Sequence, residues 1–194
     1  MRAIGSILCL SSCALLGACA ATPSGADTTR LQPEDVLEAA TVVRAKLVQS
    51  DWLRSRDASS APATLLPQAA TNRSDDRLTE GERWMVTAGV ARQPSVLRLL
   101  ESENIAVQAS PIDAALLERF GVSPIEHAAS NVPTHLFTAE VASIARAAAL
   151  AGGTLDDRRD TYVVTYQVLE LPDRRVAWIG SAEFARRATG LLID

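Results

Sequence analysis

Thr161-Tyr162-Val163-Val164-Thr165-Tyr166-Gln167-Val168-Leu169-Glu170-Leu171 decides the fold class. Tyr162, Val164, Tyr166 and Val168 alternate with Val163, Thr165 and Gln167, the two-residue period of a strand with one buried face. The residue types are β-branched or aromatic, which fit a pleated surface. Pro172-Asp173 then supplies a turn. Residues 175–187 read as the next strand, with Val176, Trp178, Ala182 and Phe184 on one face and Arg175, Ser181, Glu183 and Arg187 on the other. Gly180 inside that run predicts a bulge or a close neighbour. Upstream, residues 134–146 form a third strand candidate. Ala151-Gly152-Gly153 and the charged run 156–160 read as a long hairpin loop after it. The three make an antiparallel meander covered on one face by helices.

Working back from the meander, residues 33–53 read as one helix. Pro33 suits the first turn, and Glu34 and Asp35 favour the positive end of the helix dipole. Val36, Ala40, Val43 and Leu47 recur at helical spacing, with Leu37 and Val48 beside them and Trp52 closing the stripe. Residues 63–69 predict a short strand in which Pro67 belongs at an edge or an end. Residues 72–77 read as a loop. Over 79–100 the pattern fits helix and strand alike; plentiful alanine and a Thr79–Glu82 capping box favour helix, restarted at Pro94. A helix over 95–103 puts Val96, Leu99 and Leu100 inward. A buried strand over 105–109 and a short helix from Ser110-Pro111 to Phe120 follow. The fold class is α/β (α+β), a single mixed sheet with helices packed on it.

The chain has 194 residues, with Lys plus Arg 19 and Asp plus Glu 23, a formal charge of −4. That length fits one domain with a tail, and a mildly acidic chain without a basic stripe is not expected to bind nucleic acid. Residues 1–18 have the parts of a secretory signal: Arg2, an apolar or small run from Ile4 to Leu16, then small residues. The apolar core is too short for a permanent spanning helix, which takes about 20 apolar residues. Leu16-Gly17-Ala18-Cys19 resembles the lipobox of bacterial lipoproteins, in which the cysteine sulfur is acylated and becomes the first residue. That resemblance predicts lipidation at Cys19 and a signal peptide over 1–18. Cys9 and Cys13 lie inside the removed segment, so no internal disulfide is expected. Ala20 stands where Asp would resemble an inner-membrane retention signal, so the expected location is the outer membrane, on its periplasmic face. Residues 19–32 then carry the anchor and a tether, and residues 33–194 the single domain. The thirteen tether residues after Cys19 span at most about 45 Å.

No constellation of side chains makes an enzyme of this sequence. The two histidines, His127 and His135, with Glu126 beside the first, match no ligand spacing. Counting residues leaves a Ser-His-Asp arrangement open, yet Ile179-Gly180-Ser181-Ala182-Glu183 is not a nucleophile elbow. Gly152-Gly153 lacks the Lys-Ser/Thr of a phosphate loop. Asp75-Asp76 and Asp156-Asp157 read as solvated loop charges. Arg158-Arg159, Arg174-Arg175 and Arg186-Arg187 read either as strand-blunting surface charge or as a rim for an acidic partner. No cofactor and no metal are expected.

The order of elements resembles the penicillin-binding-protein activator lipoproteins of the LpoB type. The likeness is most specific over Thr161 to Leu171, quoted above, and continues at Val176-Ala177-Trp178-Ile179-Gly180 and Glu183-Phe184. Residues 35–52 look like that family's first helix, and Asn72-Arg73-Ser74-Asp75-Asp76 like its Asn-x-Thr loop. The resemblance implies a fold akin to the N-terminal domain of the Tol-system propeller protein. It implies a non-catalytic module that binds a bifunctional penicillin-binding protein and raises its peptidoglycan synthesis. The tether departs from the family, whose members carry a long disordered stretch. Arg and aromatic clustering places a partner surface near Tyr166, Arg174, Arg175 and Trp178. The competing expectations are a secretion-associated or structural lipoprotein that forms a homo-oligomer, like the curli-secretion lipoproteins, and a metal or ligand binder using His127, His135 and Glu126.

Overall fold

The computed structural model describes residues 31–108, 132–147 and 157–189. The predicted helix 110–120, His127 and Glu126, the lipobox and most of the tether lie outside them. The elements run α1 (Pro33–Val48), α2 (Asp51–Arg54), β1 (Ala63–Pro67), β2 (Thr71–Asn72), α3 (Glu80–Trp84) and a π-helical turn (Met85–Gly89). They continue with α4 (Pro94–Ser102), β3 (Ile105–Val107), β4 (His135–Ala147), β5 (Asp157–Glu170) and β6 (Arg175–Thr189). One six-stranded mixed sheet has the order β3-β1-β4-β5-β6, with β2 also paired to β4.

The meander follows the period-two pattern. Phe137, Ala139 and Val141 of β4 face Val168, Tyr166 and Val164 of β5. Tyr162, Val164 and Val168 face Phe184, Ala182 and Trp178 of β6. All of these side chains are buried beneath the helical layer. Each large apolar side chain taken fully from water contributes about 1.5–3 kcal/mol, so this row dominates the core. β5 and β6 outrun their predicted limits. Part of the charged run 156–160, read as loop, is the start of β5, where Asp160 pairs with Arg186.

The bulge does not sit at Gly180. Val168 pairs with Trp178 and Leu169 with Val176, so Ala177 is the extra residue. The slip turns Val176 to the outer face, where it is exposed, against the expectation that it shares a face with Trp178. Gly180 has the close neighbour instead: a Cβ there would lie 2.5 Å from Trp178 Cζ2.

The predicted helix 33–53 is interrupted at Gln49. Ser50 caps α2, its hydroxyl accepting from the Leu53 amide at 3.2 Å, which a continuous helix would not allow. The folded unit also starts earlier than residue 33. Leu31 is buried in the core, and Gln32 caps α1 through a box with Asp35. Helix rather than strand holds over 80–91, with the predicted Thr79–Glu82 capping box in place, and Pro94 restarts the chain as the first residue of α4. β1 ends at Pro67 inside the sheet, so Pro67 is tolerated as an end residue. β2 occupies two positions read as loop or left unassigned, and β3 is a half-exposed edge strand rather than a buried one.

Candidate functional site

The β5–β6 hairpin holds the residues that sequence reasoning singled out, and the structure separates them. Tyr166 and Trp178 are 1% and 6% exposed. Tyr166 stacks on Phe137 at 5.6 Å with the planes 13° apart, and burial pushes its phenol well above the ordinary value. Trp178 lies over the bare backbone of Gly180. Both aromatics are therefore core supports of the hairpin, Tyr166 enclosed and Trp178 showing only a small part of its ring. The alternation that makes β5 and β6 strands already pointed both side chains inward.

The arginines stay outside. The turn residues Pro172, Asp173 and Arg174 and the first residue of β6, Arg175, are exposed. Arg174 holds a left-handed backbone, φ 55°. Arg175 is engaged: its Nε donates to Glu170 Oε2 at 3.1 Å and its Nη2 meets the same oxygen. The hydrogen bond and charge of Arg175 hold the Glu170 carboxyl below its usual value. Behind the turn, the outer face of the meander carries Val176, Ile179 and Ile144, each more than half exposed, beside Glu140 and Glu183.

Arg186 is neither strand-blunting nor rim charge. It is buried, and its guanidinium forks onto Asp35 in the first turn of α1, Nε to Oδ2 at 3.2 Å and Nη2 to Oδ1. Asp35 Oδ2 also accepts from the Gln32 amide at 2.7 Å. This ion pair pins α1 to the C-terminal strand. Its signal was in the sequence: Arg186 falls in step with Ala182 and Phe184 on the inner face. Asp76, read as a solvated charge, accepts a hydrogen bond from the hydroxyl of buried Tyr162. His135 is buried against Trp52, ring centroids 5.7 Å apart. Burial lowers its pKa, nearby Glu170 opposes the shift, and Arg56 adds to it. Among the described residues no group of His, Cys, Asp and Glu is arranged to hold a metal ion.

A second feature lies along β6, the last strand in the sheet order. An open groove of about 490 Å³ is lined by Lys46, Gln49 and Ser50 from the helical layer and by Thr165, Trp178, Ile179, Gly180 and Ser181. Lys46 Nζ donates to the carbonyl of Ser181 at 2.6 Å.

No family model matches the chain, and no curated protein does. Among solved structures, a C-terminal domain of LpoB from Salmonella enterica is 14% identical, with 77% of this chain and 98% of that one aligned at a TM-score of 0.42. The corresponding domain from Escherichia coli is 12% identical over 77% and 98%, at 0.41. A lipoprotein from Neisseria meningitidis is 16% identical over 65% and 84%, at 0.39. The chain is thus similar to LpoB C-terminal domains and to another lipoprotein among the structures that it aligns with.

Proposed function

We propose that this chain is a lipid-anchored envelope module that works by binding another protein and regulates peptidoglycan synthesis. Cys19 carries the anchor in the outer membrane, and the partner is a bifunctional penicillin-binding protein whose activity the module raises. One observation supports protein binding: among the described residues no element covers the outer face of the meander. Val176 and Ile179 stand 51% and 57% exposed there, near Arg174 and Arg175 at the turn. Exposed apolar side chains gathered on one face and rimmed by arginine are the composition of a contact surface. The lipobox supports the anchor, and the resemblance of the hairpin sequence to the activator lipoproteins supports the choice of partner.

The test uses the full lipidated chain in detergent and a purified bifunctional synthase. Binding is read by surface plasmon resonance and synthesis by glycan-chain polymerisation. Arg174→Glu should weaken the complex at least about fivefold, as for a residue at a contact centre, while the unfolding midpoint stays in place. Unchanged binding would remove the turn from the interface; no binding by the unaltered chain would remove the synthase as partner.

A further inference from the structure

The pairing of β6 with β5 fixes which way its backbone groups point. Thr165 faces Ser181, Tyr166 faces Gly180 and Gln167 faces Ile179. In an antiparallel ladder, alternate residues turn both N–H and C=O toward the partner strand and the residues between turn both away. Val141 turns its carbonyl to the Arg73 amide and so away from β5, which leaves its partner Val164 and, two positions on, Tyr166 turned toward β6. Gly180 therefore faces β5, and Ser181, whose carbonyl takes Lys46 Nζ, faces away. Ile179, two positions earlier, does the same. Among the described residues no further strand pairs with β6. These outward groups open onto the groove lined by Lys46, Gln49, Ser50 and Trp178.

Lys46 makes this edge different from a bare one. Its contacts are neutral oxygens, the Ser181 carbonyl at 2.6 Å and hydroxyl at 3.5 Å. No carboxylate lies within ion-pair distance of it among the described residues. A lysine laid over an edge carbonyl guards the strand against indiscriminate pairing. The guard is also removable, because an exposed ammonium bonded to a neutral oxygen gives little up on leaving. Once displaced, it stands beside the place where the side chains of an added strand would lie.

We propose that the β6 edge at Ile179–Ser181 accepts an extended segment of a partner protein as an added strand, and that Lys46 selects a segment carrying an acidic side chain. An incoming N–H takes the Ser181 carbonyl, the freed ammonium turns to the incoming carboxylate, and the ladder provides the rest of the contact. The inference rests on the protein-binding reading and specifies a site apart from the Arg174 turn.

The probes are two peptides, acetyl-Thr-Val-Glu-Val-Thr-Val-amide and its counterpart with Lys in place of Glu. They are titrated into the isotopically labelled full chain in detergent micelles. The Glu peptide should slow hydrogen exchange at the Ile179 and Ser181 amides and bind about fivefold more tightly than the Lys peptide, the scale of one exposed ion pair. Lys46→Glu should reverse that preference. Ser181→Pro removes an outward N–H and no β5–β6 bond, so it should keep the unfolding midpoint and lose the peptide. Equal binding of the two peptides, or exchange protection at the 172–175 turn and not at the edge, would overturn the inference. Synthase binding that survives both Lys46→Glu and Ser181→Pro but not Arg174→Glu would overturn it too, while leaving the proposed function standing.

Discussion

Asp35 and Arg186 provide the sharpest test of how the domain is held together. Their side chains are 7% and 6% exposed, and the pair joins the start of α1 to β6. Asp160, buried as well, is the register partner of Arg186 on β5. Replacing one member of a buried pair costs about 3–5 kcal/mol, because the other charge is stranded out of water. Arg186→Met leaves the buried Asp35 carboxylate without its guanidinium and belongs in that range. Asp35→Leu strands the Arg186 guanidinium instead, with about 1 kcal/mol of the loss coming from the α1 cap. Against a total stability of about 5–15 kcal/mol, either change is large. The informative variant is the double one. Adding Asp35→Leu to Arg186→Met removes a stranded carboxylate, so the double variant should be more stable than Arg186→Met alone, even though two residues have changed. Urea unfolding of the non-lipidated Cys19→Ser chain, followed by tryptophan fluorescence, measures all three. Losses that simply add, or single losses below about 1 kcal/mol, would refute the reasoning.

Three further outcomes can be measured, two resting on local geometry and one on the lipobox. Gly180→Ala places a methyl 2.5 Å from Trp178 Cζ2 and 2.9 Å from Cη2, closer than real contacts come, so the ring or the strand must shift. It should lower stability by about 1–3 kcal/mol and couple strongly to Trp178→Ala in a double-mutant cycle. His135 has a folded-state pKa below its ordinary 6.5. The native state therefore binds fewer protons than the unfolded one. Stability should be complete above pH 6.5 and fall as the pH drops from there through the lowered folded value, and His135→Gln should flatten that slope in urea midpoints measured from pH 7.5 to 5. Cys19→Ser should release the protein from envelope membranes on fractionation; a variant that stays with the membranes would contradict lipid anchoring at that residue.

The meander was legible because period-two alternation is a backbone property that tertiary context could only confirm: Tyr162, Val164, Tyr166 and Val168 point to the core as read. The helix restart at Pro94 and the capping box at Thr79 were legible for the same reason, since each is local chemistry. What escaped depends on neighbours distant in sequence. The two-residue β2 exists because β4 passes beside Thr71 and Asn72. The Ala177 bulge, which exposes Val176, reflects the register against β5. The site fared less well, because an aromatic near a turn reads equally as contact or as core until the covering layer is known. Arg174 and Arg175 stayed on the surface, and Tyr166 and Trp178 did not. Lys46 escaped altogether, being an unremarkable helix residue until its ammonium meets a strand 135 residues away.

The most direct measurement of the central claim is the rate of glycan-chain polymerisation by a purified bifunctional penicillin-binding protein, with and without the lipidated chain at saturating concentration. A faster rate is expected with the unaltered chain and a weakened response with Arg174→Glu. An unchanged rate, with no complex detected by sedimentation at the same concentrations, would contradict it.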